Sequence, residues 1–400
     1  MKRVVITGFG IISSIGNNKT EVLHSLKSLK SGIVFSKNMQ SFGLKSNVCG
    51  DICLKKEELI DRYFVKFMNK ATLYAYLSME QAIQDSGLIK EIYQKNYKVG
   101  IINGVGCNFF ANNAKYFSKK KKLSPYFVIQ SMFSNISAFL STLYNIYGIS
   151  YSMSSACATS SNCIINAVDL IKSNKQDIIF AGGTEELSCE LSYEFDKIKI
   201  LSRKYNEFPK KSSRPYDMDR DGFVISGGSG ILVLEDLNHA ISRKAKIYAE
   251  IIGYGICSDG FHMTKPSGSG LVYSMKEAIN NLDKSKIDYI NTHGTSTKLG
   301  DIIELISIQR IFKHSIPYFS STKSLTGHAL GASGVQEIIY ILLMMYNNFI
   351  FPNINIDHLD KKIKKMNILF NKQPCSINIA MSNNCGFGGV NTSIILQKIF

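Results

Sequence analysis

The sequence predicts an α/β protein built from two related halves around mixed sheets, and three observations carry that reading. Short β-branched runs alternate with longer amphipathic stretches along the chain, the pattern of strands exchanging with helices. A chain of 400 residues with 45% hydrophobic and 20% charged content can bury a large core, and its length suits two domains or one duplicated fold. The opening run Val4-Val5-Ile6-Thr7-Gly8-Phe9-Gly10-Ile11-Ile12-Ser13-Ser14 is echoed by Ala249-Glu250-Ile251-Ile252-Gly253-Tyr254-Gly255-Ile256-Cys257-Ser258-Asp259. That echo sets a boundary near residue 248, with halves 1–248 and 249–400.

Arg3 to Thr7 is a strand running into Gly8-Phe9-Gly10-Ile11-Ile12-Ser13. The run imitates a dinucleotide loop, but Ser13 stands where a third glycine is needed and no acidic residue closes a second strand about twenty positions on. It is read as strand and turn, followed by a helix from Lys19 to Lys30. Arg62 and Lys66 share one face if their stretch is helical, which suits an anionic partner; a solvated surface turn is an equal reading. The helix from Asn69 to Ser86 has Leu73, Tyr76, Leu77, Ala82 and Ile83 as its apolar side and Gly87 as its stop. A strand from Lys98 to Asn103 leads to a loop ending in Lys119-Lys120-Lys121-Lys122, then to a helix from Pro125 to Tyr144.

Ile149 to Met153 is the next strand, and it opens on Ser154-Ser155-Ala156-Cys157-Ala158-Thr159-Ser160-Ser161 before an apolar helix that ends near Asn174. This sets Cys157 at a helix N-terminus among small residues, where unpaired N–H groups favour thiolate and leave room for a substrate. Read alone, such a cysteine is more often a small buried hydrophobe, and only partners elsewhere in the chain reverse that. Asp177 to Ala181 is a strand with a turn at Gly182-Gly183. Asp217-Met218-Asp219-Arg220-Asp221-Gly222 imitates a calcium loop, but Gly228 stands where the closing glutamate is required, so the carboxylates pair with Arg214 and Arg220 in a structural turn.

In the second half, a strand from Asp288 to Asn291 delivers His293-Gly294-Thr295-Ser296-Thr297, with a helix from Asp301. Tyr318 to Ser321 delivers Lys323, Thr326, Gly327 and His328, with a helix from Gly331 to Tyr346. Two histidines in equivalent Gly/Thr-rich connections suit a site better than a core. A strand from Ile377 to Met381 ends in Asn384-Cys385-Gly386-Phe387-Gly388-Gly389, whose glycines let N–H groups face a substrate oxygen; a plain tight turn is the other reading.

Bulk properties narrow the function. The formal net charge is +16, but only seven of the 47 basic residues are arginine, and lysine supplies a general field rather than base-edge recognition. Without a basic helix, aromatic and basic interleaving or zinc-finger spacing, a nucleic-acid binder is disfavoured and an acidic partner stays open. Nine cysteines lack CxxC or metal spacing, and Met1-Lys2-Arg3 leads straight into Val4-Val5-Ile6, so a cytoplasmic chain with reduced thiols and no metal is expected. The longest apolar run, Ile338 to Tyr346, is far short of the roughly 18–20 residues that span a bilayer, so no membrane insertion is expected.

Taken in order, Ser155-Ala156-Cys157-Ala158-Thr159-Ser160, His293-Gly294-Thr295-Ser296-Thr297, Lys323-Ser324-Leu325-Thr326-Gly327-His328 and Gly386-Phe387-Gly388-Gly389 resemble the four signatures of the beta-ketoacyl-[acyl-carrier-protein] synthases. The resemblance runs end to end, and Met1 to Asn18, the Arg214 to Val224 turn and the overall length are closer to type I members than to type II. It implies a thiolase-like fold, with the duplicated α/β halves in a layered α-β-α-β-α arrangement, and a homodimer. It also implies decarboxylative Claisen condensation of an acyl chain, held as a thioester on Cys157, with malonyl-[acyl-carrier-protein], and no cofactor. Cys157 is then the nucleophile, its thiol pKa lowered by the helix dipole, and the Cys157 and Phe387 N–H groups form the oxyanion hole, with Phe387 as gate. His293 and His328 donate to the malonyl thioester carbonyl. Lys323 orients His328, paired with Glu337 or Glu304, and Thr295 and Thr297 hold the pantetheine arm. An acidic acyl carrier protein docks on Arg62, Lys66, Lys119, Lys120, Lys121 and Lys122. A type II synthase and a noncatalytic chain-length factor stay as alternatives; the retained cysteine and histidines argue against the latter. Departures fall around the acyl pocket: a shorter loop Gly104 to Lys122 with Cys107, Phe109 and Phe110, the pair Lys199-Ile200 after Phe195, and Cys385 beside Phe387.

Overall fold

In the computed structural model, residues 2–54, 62–107, 124–280, 282–363 and 366–399 are described. Among them, ten strands join in one sheet whose order divides into two matching sets. The first set is β1 (Val4–Ile12), β2 (Val99–Val105), β3 (Ser150–Tyr151), β4 (Ile178–Glu185) and β5 (Gly228–Asp236). The second is β6 (Ala249–Ser258), β7 (Tyr289–Asn291), β8 (Tyr318–Ser320), β9 (Ile379–Gly386) and β10 (Val390–Gln397). From a seam where β1 meets β6, one set runs β1-β5-β4-β2-β3 and the other β6-β10-β9-β7-β8. In both, the two pairings nearest the seam are antiparallel and the two farthest are parallel.

The main helices repeat in the same way: α1 (Lys70–Ser86), α2 (Asn135–Tyr144) and α3 (Thr159–Lys172), then α4 (Ser269–Ile279), α5 (Lys298–Phe312) and α6 (Ser333–Asn347). Helices α1 and α2 cover the outer face of the first set, and α4 and α5 that of the second. Between the sets lie α3 and α6, which completes the expected five layers. Strands buried on both faces must be apolar at nearly every position. In β4, Ile179 and Ala181 join the central core while Ile178 and Phe180 face the outer one; in β10, Ile394 and Leu396 face inward and Ile395 outward.

Close packing corrects two local readings. Gly182 and Gly183 lie inside β4 rather than in a turn: a Cβ on Gly182 would sit 2.0 Å from the Gly230 carbonyl oxygen. On α1 the fully buried residues are Ala71, Thr72, Tyr74, Ala75, Ser78, Met79, Ala82 and Ser86, so Leu73, Tyr76, Leu77 and Ile83 are only half-buried. The reason is Gly10 of β1, where a Cβ would lie 1.9 Å from the Ser78 carbonyl oxygen; the strand offers bare backbone, so the helix turns its small residues to it. The helix expected from Pro125 to Tyr144 is broken into Phe127–Ser131 and α2. The Arg214 to Asp221 stretch is a structural turn, but its pairing is only half as expected: Asp217 pairs with Arg214 at 2.9 Å, whereas Arg220 pairs outside the stretch, with Asp301 of α5 at 3.2 Å and Asp360 at 2.8 Å, and Asp221 accepts from the Ser202 hydroxyl and the N–H groups of Arg203 and Lys204. No helix among the described residues is long and apolar enough to cross a membrane.

Candidate active site

The chemistry-bearing residues gather where the parallel strands end. Cys157 follows β3, His293 follows β7, Lys323 and His328 follow β8, and Phe387 follows β9. The chain after β3 turns sharply: Ala156 takes φ of 50°, in the left-handed region that a non-glycine residue adopts at a cost, and Cys157 sits in a single 3-10 turn, Ala156–Ala158, that leads into α3. Thr159 holds that turn, its Oγ1 accepting from the Ser155 N–H at 2.8 Å and donating to the Ala156 carbonyl at 2.7 Å. The small residues of the motif have a packing reason as well. Ser160 Oγ accepts from the Val335 N–H of α6 at 3.0 Å, and a Cβ on Gly334 would lie 2.1 Å from Ser161 Oγ, so the two central helices touch at their N-terminal ends.

A ligand atom from each of Cys157, His293 and His328 lies within 4.8 Å of the others, and the two imidazoles meet edge to face with centroids 5.1 Å apart. His328 is oriented by a hydrogen bond between Nδ1 and the Ser333 hydroxyl at 2.9 Å, which leaves Nε2 buried and without a partner among the described residues. In His293 it is Nδ1 that is buried and, among the described residues, unpartnered. Burial, reinforced by the Lys323 ammonium, holds both imidazoles well below their usual range, so both are neutral near pH 7. Cys157 departs from expectation. Burial pushes its thiol up to about 12, although Lys323 and the N–H groups of Phe387 and of Cys157 itself pull the other way. The helix start is real, but loss of water at the sulfur outweighs it, and the resting group is a thiol.

Lys323 and Glu337 are both 2% exposed and form a direct ion pair. Of the two glutamates open to Lys323, the structure pairs it with Glu337, whose second oxygen accepts from Asn384 Nδ2 at 2.6 Å. Glu304 instead accepts from the N–H groups of His293 at 2.7 Å and Gly294 at 2.8 Å and so fixes the loop that carries the histidine. Burial raises its carboxyl to about 7 against that pull. Thr295 and Thr297 join hydroxyl to hydroxyl at 3.1 Å on the wall of a cavity of about 350 Å³ that also reaches Cys157, His293, His328 and Phe387. The turn after β9 approaches Cys157 closely: a Cβ on Gly386 would lie 2.8 Å from the Ser155 carbonyl oxygen and 3.3 Å from the Cys157 nitrogen. The Phe387 ring stands 6.4 Å from Phe195, and Ile200 and Cys385 line the same cavity, with Lys199 at φ of 60° just before Ile200.

Of the expected docking residues, Lys66 lies just past a short helix, Arg62–Val65, with its ammonium 4.1 Å from the Tyr63 ring, 4.9 Å from Tyr126 and 5.0 Å from Phe67. The Arg62 side chain, Lys119, Lys120, Lys121, Lys122, Phe109 and Phe110 lie outside the described residues. Ser333, Asn384 and Glu185 were not singled out by the sequence, although Asn384 adjoins the glycine-rich motif and Glu185 ends a strand.

Comparison with known proteins agrees with this geometry. Residues 1–240 match the family model described as beta-ketoacyl synthase, N-terminal domain, and residues 248–357 that of the C-terminal domain. Among curated proteins, the 3-oxoacyl-[acyl-carrier-protein] synthase 1 of Buchnera aphidicola subsp. Baizongia pistaciae is 56% identical and that of Escherichia coli strain K12 is 50% identical, each over 100% of both chains. A 3-oxoacyl-[acyl-carrier-protein] synthase 2 from Rhizobium meliloti is 35% identical over 100% of this chain and 99% of its own. A crystal structure of a beta-ketoacyl synthase from Burkholderia phymatum superposes with a TM-score of 0.93 at 31% identity over 100% of both chains. A type II polyketide ketosynthase solved in complex with its acyl-carrier protein superposes at 0.87 with 27% identity, again over 100% of both chains. The chain belongs to the beta-ketoacyl synthase family.

Proposed function

We propose that this chain condenses an acyl group with malonyl-[acyl-carrier-protein] as a type I synthase of fatty-acid elongation, and that Cys157, His293 and His328 carry the reaction. The observation that supports this most directly is the meeting of one thiol and two neutral imidazoles on one cavity. Identities of 50–56% to synthase 1 proteins against 35% to a synthase 2 favour type I over type II.

In the first half-reaction the Cys157 sulfur attacks the acyl thioester, and its proton passes through a neutral imidazole to the departing pantetheine sulfur. The Cys157 and Phe387 N–H groups, both directed at the sulfur in the resting site, receive the oxyanion. In the second, malonyl thioester enters and the histidines donate hydrogen bonds to its carbonyl oxygen. For His328 this requires the tautomer in which Ser333 donates to Nδ1 and the free Nε2 carries the proton. The C–C bond to the carboxylate breaks, carbon dioxide leaves, and the enolate attacks the acyl-Cys157 carbonyl. The sulfur leaves as thiolate and takes up a proton. Lys323 steadies the histidines' surroundings through Glu337, and Thr295 and Thr297 receive the pantetheine arm. Phe387, against Phe195, gates the acyl end. No step calls for a metal or an organic cofactor. Residues 1–248 thus supply the nucleophile and 249–400 the decarboxylating pair.

Intact-mass measurement after incubation with acyl carriers of several lengths tests the reading: wild type gains one acyl mass and Cys157→Ser gains none. Absence of an adduct on wild type at every length overturns it.

The partner in this reading is an acidic acyl carrier protein, with Lys66 in its docking patch. Lys66→Glu is expected to raise the Michaelis constant for the carrier substrate by about tenfold with kcat kept, an effect of one steered charge at an interface; an unchanged constant removes Lys66 from the patch. We further propose a homodimer that works in the cytoplasm. Among described residues β3 is paired only with β2, which leaves one sheet edge for a second copy.

A further inference from the structure

The buried carboxyl of Glu185 takes no part in the chemistry above, yet it is the point on which three segments of the site meet. It ends β4 and is 1% exposed. One oxygen accepts from the N–H of Gly106 at 2.9 Å and of Gly331 at 2.9 Å, and the other from the N–H of Cys107 at 3.3 Å. Gly106 and Cys107 follow β2, and Cys107 packs in the apolar cluster with Cys157, Phe195, Ile200 and Leu330. Gly331 lies in the turn between His328 and α6. The contact is tight: a Cβ on Gly331 would lie 2.3 Å from the Gly106 nitrogen, and one on Gly106 would lie 2.6 Å from Glu185 Oε2 and 2.9 Å from the Ala156 carbonyl oxygen.

Two non-glycine residues with left-handed backbone flank this junction, Ala156 at φ of 50° and Leu330 at φ of 48°. Strained conformations persist only where surrounding contacts over-determine them. The donor set at Glu185 is such a contact: three N–H groups from two segments converge on its two carboxyl oxygens.

We propose that Glu185 is a positioning residue of the condensation: its carboxyl ties the Cys107 wall of the acyl pocket to the turn carrying His328, and through Gly106, whose carbonyl accepts from the Ser154 hydroxyl at 3.2 Å, it braces the nucleophile turn against both. The titratable groups around it are the thiols of Cys107 and Cys157 and the Glu186 carboxyl. Burial raises the Glu185 carboxyl to about 8 against the three amides, and as it ionises its charge opposes ionisation of Cys157. The clamp therefore holds the geometry and, once ionised, adds to the burial that keeps the sulfur protonated.

The inference rests on Cys157 as nucleophile, and the acyl-adduct experiment above judges that separately. Glu185→Gln keeps the size but sets an NH2 against N–H donors and removes the charge. Its kcat is expected to fall about tenfold or more, the cost of a lost hydrogen bond to a charged group. Its Michaelis constant for the malonyl carrier stays near that of wild type. Alkylation of Cys157 by iodoacetamide, followed from pH 7 to 10, is expected to begin at lower pH than in wild type. Glu185→Asp keeps the charge but shortens the reach, so its kcat falls while its alkylation profile stays that of wild type. Wild-type kcat in either variant overturns the proposal, as does a kcat loss in Glu185→Gln with an unmoved alkylation profile. If Glu185→Gln shows no cooperative melt, Glu185→Asp decides alone: reduced kcat with kept Michaelis constants supports the clamp, and a rise confined to the Michaelis constants overturns it.

Discussion

The two halves share one scaffold and carry different cargo. Strand for strand, β1 to β5 correspond to β6 to β10, with the same order and the same sense of pairing. Helices α3 and α6 start at equivalent places, yet the connection before α3 holds Cys157 and the one before α6 holds Lys323 and His328. Strand β4 ends on Glu185, whereas its counterpart β9 leads to Phe387. Even the burial of the central helices differs. In α6 every residue from Ser333 to Met345 is buried, whereas α3 leaves Asn166 and Leu170 partly open. A duplicated fold thus fixes where strand ends and helix starts converge, and the residues placed there are free to become complementary, a thiol from one side and two imidazoles from the other.

If that division of labour is right, the halves can be silenced one at a time. His293→Ala is expected to lower malonyl decarboxylation by about 10²–10⁴-fold, the range for a positioned proton-handling group, while the acyl adduct on Cys157 still forms. Cys157→Ala is expected to do the reverse. A His293 variant that fails to acylate would break the comparison, because the proton leaving Cys157 would then have to pass through His293 rather than His328. The pH profile sharpens it. Both imidazoles are held neutral by burial and by Lys323, so the decarboxylation rate should stay flat as pH falls through about 6.5, the ordinary histidine value, with the acid limb below it. A break near that value would mean a freely titrating ring. Stability follows the same sign: each depressed histidine pKa contributes stability that is present above the unfolded value and is lost as pH falls below it.

Much of this was legible in the chain. The echo between Val4–Ser14 and Ala249–Asp259 announced the duplication, and the four loop motifs named the residues that meet. What escaped depended on distance in space. Gly182 and Gly183 carry the same local signal whether they make a turn or let β4 pass against Gly230 and Ser160, so the last part of the strand, and with it Glu185, went unread. Lys323 had two glutamates on neighbouring helices, and only the packing of α6 against β9 chose Glu337. The thiol of Cys157 was expected low because a helix start is visible in sequence; the burial that raises it comes from segments far away in the chain.

The smallest effect tests the scaffold itself. Gly10 in β1 and Gly255 in β6 are equivalent in the echo, and they do the same job. A Cβ on Gly10 would lie 1.9 Å from the Ser78 carbonyl oxygen and 2.8 Å from the Gln81 Cβ of α1; one on Gly255 would lie 2.1 Å from the Ser274 carbonyl oxygen and 2.8 Å from the Glu277 Cβ of α4. Neither helix can move aside without shifting its own layer, so an added methyl at either site should cost about 1–3 kcal/mol of stability, the usual range for overpacking a filled interior. Thermal or urea unfolding of Gly10→Ala and Gly255→Ala should show losses of similar size, with the Cys157 adduct still forming in both. Losses that differ widely would mean that the halves, alike in topology, have drifted apart in how firmly their outer helices are seated. The site between them would then rest on one rigid half and one yielding one.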